Sequence, residues 1–426
     1  MSDSPQFYRH GLRRMLARDP DERQRSASPL ELFFDLTFVA AFLTIGEQVA
    51  LGVADGLVWP VVLGFVIATL PALWAWMEYT WLASAFDNDD WVFRALTLLQ
   101  MAGVIILTIG MPALFASLVD GGEIDGRVLV AGYVVMRTAI TLQWMRVARH
   151  DPTWRRFALG HAVAVGVVQA LWVAWIVVPL AFTPALVFLA IVWVLDLAVP
   201  TTVARLSKPG GPAALPWHPS HLAERYGLIT IIALGETVIG TVTAARHITD
   251  TEGWNADTVV AVGIGVVISF ALWWTYFLMP SARILEVRRD KMMPWAYGHL
   301  PMLASVVAVG GGLHVLGYLH DSRYPASILT AVVSVAIPTL LFLICVHGIH
   351  GWLVSRLMRS PAHIVALGAP LVAIATAAIG WPVWLCLILV LCGPLTIVVS
   401  YEVRDHRRLE STLRSAIARA EREPAA

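Results

Sequence analysis

The chain has 426 residues, of which 58% are hydrophobic and 14% charged, whereas a soluble globular protein is about a quarter charged. So few charges cannot cover the surface of a soluble fold of this size, and three cysteines exclude a disulfide scaffold. Thirty basic residues balance thirty acidic ones, so no charge excess points to nucleic acid as a partner. With a mean hydropathy of +0.70, the class that remains is a polytopic membrane protein whose first partner is the lipid bilayer.

In chain order, residues 1–29 form a polar, Arg-rich arm without the apolar core of a cleavable signal peptide. Leu12, Met15 and Leu16 stand among its arginines. The stretch reads as a short interfacial helix on anionic lipid or as a solvated topology signal. A first group of spans follows at roughly 30–52, 58–83, 92–118, 127–147, 157–178 and 181–203. Residues 207–220 (SKPGGPAALPWHPS) are rich in Pro and Gly and read as a linker. A second group follows at roughly 222–245, 257–280, 294–318, 325–346, 361–379 and 381–401. The tail, 402–426, is charged, with Leu409, Leu413 and Ile417 at helical spacing. These runs are continuous rather than alternating, which argues for helices and against a β-barrel. The expected fold is therefore all-α with about twelve transmembrane helices: a first half at 30–206 and a second at 221–401.

Twelve spans with the N-terminus inside put 26 of the 30 Lys and Arg residues on the inner side and three (Arg127, Arg246, Arg323) outside, with Arg137 inside a span. This asymmetry sets both termini in the cytoplasm. The halves also resemble each other. At an offset of 193 residues, Glu31, Thr37 and Ala40 align with Glu224, Thr230 and Ala233, and each helix later carries Gly-Glu (Gly46-Glu47, Gly235-Glu236). Six spans per half predict two parallel repeats about an axis along the membrane normal.

At these residues the sequence resembles a known family. Pro29-Leu-Glu31-Leu-Phe-Phe-Asp35-Leu-Thr-Phe-Val and His221-Leu-Ala-Glu224-Arg225-Tyr-Gly-Leu-Ile-Thr-Ile-Ile-Ala-Leu-Gly-Glu236 look like the two signatures of the bacterial low-temperature-requirement A (LtrA) family. Phe86-Asp87-Asn-Asp89-Asp90 with Arg94 fits its region after the second span. The resemblance implies a multi-pass inner-membrane protein linked to growth in the cold, without a settled reaction or substrate. The aromatic, Asp-bearing first helix is also similar to that of lysosomal potassium and proton channels, whose Phe-Ser-Asp stands where Phe33-Phe34-Asp35 stands here.

Ionisable groups inside a bilayer are expensive unless paired or facing water, so they are the first candidates for function. Glu31 follows Ser28 and Pro29 as the third member of a capping box. Asp35 lies one turn deeper on the same face, too short to snorkel out. His221, Glu224 and Arg225 mark the matching helix start, His221 as its cap and Glu224 as a capping carboxylate. His218 and His221 with Glu224 are spaced like metal ligands, but Pro219 between the histidines and the lack of a fourth ligand argue against a metal. Glu47 and Glu236 follow glycines, where another helix can come close. Glu236 is eleven residues beyond Arg225, about 16 Å along the axis and near mid-membrane. Arg137 is central in its span and must meet a carboxylate: Asp196, Glu47, Glu78 or Glu236. Glu78 stands near the inner end of its span, within snorkelling reach, and Asp196 about 13 Å inside its own. Asp87, Asp89 and Asp90 read as a solvated loop or an attractor of cations. His161 and His314 read as packing groups, and most tryptophans as interface anchors. Cys386 and Cys392 point in different directions on one helix and form no redox pair.

No phosphate-binding, dinucleotide or nucleophile-elbow motif is present in the sequence, so no catalytic residue, metal or cofactor is expected. The leading expectation is a transporter or channel for a small solute or ion, linked to protons, using Asp35, Glu47 and Glu236 along a path with Arg137 setting the local potential. Alternatives are a lipid-acting enzyme using His218, His221, His299, His347 or His350 as bases, and a non-catalytic protein supporting cold adaptation. The sequence does not give the oligomeric state.

Overall fold

The computed structural model describes residues 11–22, 25–207, 215–253, 256–319, 321–355 and 360–406, with 410, 411, 414, 415 and 418 of the tail. Residues 208–214 of the linker and Leu409, Leu413 and Ile417 lie outside the described residues. Among those described the chain forms thirteen α-helices and no strand: α1 (Pro29–Ala54), α2 (Val58–Phe86), α3 (Trp91–Asp120), α4 (Arg127–His150), α5 (Arg155–Val177), α6 (Phe182–Ser207), α7 (Pro219–Glu252), α8 (Ala256–Phe277), α9 (Ser281–Val287), α10 (Met292–Val315), α11 (Ile328–Leu353), α12 (Pro361–Ala378) and α13 (Val383–Ser400). Among the described residues these helices make twelve stretches long and apolar enough to cross a membrane, the seven-residue α9 falling in the same stretch as α8. Helices meet the demand of lipid by pairing their backbone internally, because hydrocarbon offers no partner to an open backbone N–H or C=O.

The helix starts follow local chemistry. Ser28 Oγ accepts from the Glu31 amide at 3.3 Å, while the Glu31 carboxylate accepts from the Ser28 amide at 2.8 Å, which closes the capping box of α1. Asp90 accepts from the Phe93 amide and caps α3, and Ser327 caps α11 through Thr330. The start of α7 differs from the expectation. The helix begins at Pro219, so His221 lies within its first turn rather than at the cap. Proline is suited to the first helical position, where its missing N–H has no intrahelical partner to lose.

Over its described part the basic arm is not a helix, and it is solvated only in part: Leu12, Arg13, Arg14 and Leu16 are exposed while Met15 is not. Residues 11–22 and 25–28 run without regular helix, and Met15 is fully buried. The backbone amides of Arg13, Met15 and Ala17 donate to Asp90, to His150 Nδ1 and to Asp151, and that of Arg18 donates to the Ala85 carbonyl. Amides bound in this way are not free for a helix ladder, so the arm is a strap held to the ends of α2 and α4 and the start of α3. Tryptophans also depart from expectation: ten of the eighteen are buried. Several use the indole N–H inside the protein rather than at an interface.

The chain packs as two compact units. The first comprises Met1–Thr37, Trp74–Gly110 and Gly121–His218; the second comprises Phe38–Leu73, Met111–Asp120 and Pro219–Ala426. In the first, α5 packs on α4 and α6. Gly103 of α3 and Gly132 of α4 face each other so closely that a side chain at either would strike the other's carbonyl oxygen. In the second, α10 is the most enclosed span, with 83% of its apolar stretch buried. Its three consecutive glycines serve three neighbours. A Cβ at Gly310 would meet the backbone of Glu236 on α7, one at Gly311 would meet Val49 and the Gly46 carbonyl on α1, and one at Gly312 would meet the Ser334 carbonyl on α11. Successive residues turn by about 100° around a helix, so a run of three opens three sides at once.

Gly310→Ala is therefore expected to destabilise the protein by about 1–3 kcal/mol through overpacking against backbone. Gly368→Ala, whose Cβ would meet open space, should be neutral or gain up to about 1 kcal/mol. Thermal unfolding of the detergent-purified variants distinguishes the two.

Candidate functional site

In the first unit, Arg137 at the middle of α4 is fully buried and paired on both sides. Of its four candidate carboxylates the structure selects two. Nη1 donates to Glu78 Oε2 of α2, and Nη2 donates to Asp196 Oδ1 of α6 at 2.9 Å. Glu78 is 1% exposed, so it does not snorkel: its position beside Arg137 makes pairing available without leaving the core. Asp196 collects three further donors. Tyr133 Oη donates at 2.6 Å, Trp172 Nε1 at 3.1 Å and Trp74 Nε1 at 3.3 Å. His161 Nε2 lies 3.5 Å from Glu78 Oε2. Two carboxylates face one guanidinium, with the His161 ring beside the Glu78 carboxylate. The ring of Tyr133, whose centroid is 5.7 Å from the guanidinium carbon, adds a cation–π contact. These aromatic donors were not expected from the sequence: Tyr133 and Trp172 stand on α4 and α5, spans that carry no acid of their own.

Elsewhere in the same unit, Asp35 is 1% exposed and accepts from Trp76 Nε1 of α2 at 2.6 Å, an interhelical bond. The acidic loop is solvated only in part: Asp89 is exposed, while Asp87 and Asp90 are buried. Asp89 pairs with Arg94 at 2.7 Å. Asp90 pairs with Arg146 at 2.5 Å while capping α3 and holding the arm. Asp87 accepts from the Asp89 amide at 2.7 Å. Burial, and next the Glu31 carboxylate, push the Asp87 carboxyl up to about 6.

In the second unit, Glu236 stands midway along α7 and is 2% exposed. Its carboxyl group fills the space that a side chain at Gly46 would take, and its Cγ fills the corresponding space at Gly310. Both carboxylate oxygens are buried without a hydrogen-bond partner, and among the described residues no other buried carboxylate has both oxygens in that state. His314 Nε2 of α10 is likewise buried without a hydrogen-bond partner, 4.0 Å from Glu236 Oε1. Glu47, next to Gly46, is exposed. The Gly310 cradle was visible in the sequence as a triple glycine but went unused there.

The same unit holds a cavity of about 360 Å³ where α7, α8, α9, α10 and α11 meet, lined in part by Glu224, Tyr276, Trp295, His299 and His350. His299 Nδ1 contacts the Trp295 carbonyl at 2.7 Å and must donate there, which leaves Nε2 to accept from Tyr276 Oη at 3.0 Å. Its ring also packs on Tyr226. His221 and Arg225, in the first turns of α7, are fully buried. His218, in the first unit, has its ring Nε2 on the Glu22 carbonyl at 2.8 Å. Among the described residues no cluster of His, Cys, Asp and Glu has the makings of a metal site.

Two outcomes follow. Arg137→Leu leaves two buried carboxylates uncompensated and is expected to cost about 3–5 kcal/mol; adding Glu78→Gln and Asp196→Asn should recover most of that loss, read as melting temperature. The Asp87 carboxyl, raised from 3.8 to about 6, contributes its stability below pH 3.8 and loses it as pH rises through 6. Asp87→Asn, which keeps an oxygen for the Asp89 amide, should therefore leave stability unchanged below pH 4 and raise it by about 1–3 kcal/mol above pH 7.

Comparison with known proteins adds to this geometry. The chain is 26% identical over 319 residues to an uncharacterized protein of Rhizobium meliloti (strain 1021), covering 69% of this chain and 70% of the relative. No solved structure matches. The model of the bacterial low temperature requirement A protein (LtrA) matches residues 26–395, from the strap before α1 into α13, taking in both Glu31–Asp35 and His221–Glu236. The chain belongs to the LtrA family.

Proposed function

We propose that this chain moves a small ion or solute across a bacterial cytoplasmic membrane, with both termini inside, and that it is a transporter or channel rather than an enzyme. The observation that carries the reading is Glu236: a carboxyl group at mid-span, buried, with neither oxygen hydrogen-bonded. A structural carboxylate in hydrocarbon ends up like Asp196, surrounded by donors. One held without them is strongly disfavoured unless a ligand completes it. Glycines on α1 and α10 make room for that group. Gly-Glu recurs at Gly46-Glu47, which fits two halves derived from one unit. In this reading Asp35 and the Arg137 cluster hold helices together, and Glu236 with Glu47 serves the path.

The rival reading, a lipid-acting enzyme, rests on the cavity near His299 and His350. His299 favours a structural role there, because both ring nitrogens are occupied by Trp295 and Tyr276. Unchanged lipid composition in a deletion strain supports the transport reading over this one.

Purified protein in liposomes is expected to pass at least one small ion or solute faster than protein-free liposomes, and Glu236→Gln to slow that flux at least about tenfold, equivalent to about 1.4 kcal/mol on the limiting barrier. Wild-type protein that carries no current and no solute flux overturns the reading.

A further inference from the structure

Resting on the transport reading, we propose that the species bound at Glu236 is a single proton, shared between the Glu236 carboxyl group and the His314 imidazole. The donor set leaves little else. A bound alkali or alkaline-earth cation takes about six oxygens, and a transition metal about four N, O or S ligands. Here one carboxyl group and one ring nitrogen face each other across 4.0 Å, cradled by Gly46 and Gly310. The neighbouring hydroxyl of Thr237 is engaged by the Leu234 carbonyl and by Ser269 of α8, each at 2.7 Å. A proton needs only one donor and one acceptor. A side-chain shift of about 1 Å brings Glu236 Oε1 and His314 Nε2 into hydrogen-bond range.

The charged and titratable groups around the site are few. His314 comes from α10, and α1 supplies Glu47, close enough for its charge to act on Glu236. From α8 the packed polar group is Ser269, which is not titratable. Among the described residues His314 is the one ion-pair partner of Glu236 within 4.0 Å. A carboxylate so placed gains more from a proton than from any contact its surroundings offer, because the neutral acid removes the buried charge and supplies the donor that His314 Nε2 lacks. The cycle is balanced. Water on one side delivers one proton to Glu236 Oε1, the O–H bond donates to His314 Nε2, and the same proton leaves to water on the other side. No electron moves and no other bond forms or breaks. The Arg137 cluster is a poorer proton path, because Glu78 already pairs with a guanidinium and Asp196 already has four donors.

Two measurements on the full-length protein test this. In liposomes carrying an internal pH dye and a potassium-diffusion potential, wild type is expected to take up protons. Glu236→Gln should lose at least nine-tenths of that flux while melting at or above the wild-type temperature. If Na⁺ or K⁺ flux at constant pH depends on Glu236 while proton flux does not, transport stands and the proton assignment falls. If nothing moves, the transport reading itself falls. The second readout needs no flux. Infrared spectra at neutral pH should contain a carboxylic-acid C=O band that Glu236→Gln removes and His314→Gln shifts. A band absent from wild type, or one indifferent to His314→Gln, overturns the shared proton.

Discussion

A hydrocarbon interior gives a polar group nothing to bond to except the rest of the protein, and this constraint shapes each buried charge in the molecule. Arg137 shows the full response. One guanidinium at mid-span brings a carboxylate from α2 and another from α6, and the second carboxylate then draws Tyr133, Trp74 and Trp172 around it. The cluster thereby ties together four spans of one unit. Such a knot is not a large source of net stability, since desolvating its charges offsets most of their attraction. It is a source of specificity, because any arrangement that separates the partners leaves a bare charge in a medium of low dielectric.

Close helix approach is the second constraint, and it meets the first at Glu236. Helices in lipid gain no hydrophobic drive from packing on each other, so they associate where small residues let backbones touch. Gly310, Gly311 and Gly312 allow this on three sides of α10. The seam that results is tight enough to shut donors out, yet it encloses a carboxyl group. Packing this dense without polar satisfaction is costly to maintain. Having neither oxygen hydrogen-bonded separates Glu236 from every other buried carboxylate among the described residues.

Much of the fold was legible because lipid-crossing helices announce themselves by length and apolarity, and the twelve expected segments recur within a few residues at most ends. The Ser28–Glu31 box was legible for the same local reason: its partners are three residues apart. What the sequence hid is long-range. Arg137 required a carboxylate, but four were compatible with its depth, and the choice of Glu78 and Asp196 depends on which faces α2, α4 and α6 turn to one another. Periodicity is uninformative when a helix is apolar all round. The arm was misjudged because its partners, Asp90, His150 and Asp151, lie 77 to 135 residues away. The tryptophans were misjudged because a general preference for interfaces was given priority over the unmet need of buried acids for donors.

The two family signatures then divide by physical role. In the first, Glu31 closes a helix start and Asp35 binds Trp76, so each acid already has a structural partner. In the second, which runs from His221 to Glu236, His221 and Arg225 are buried at the start of α7, Tyr226 packs on Trp295 and His299, and neither carboxylate oxygen of the last residue is hydrogen-bonded. A motif retained solely to hold helices together has no reason to end on an acid without donors, since glutamine in the same slot would carry no charge to bury. On the proposed transport function, the expense of Glu236 is met by a second state in which its charge or its proton is put to use; such alternation is what a membrane carrier needs and a scaffold does not.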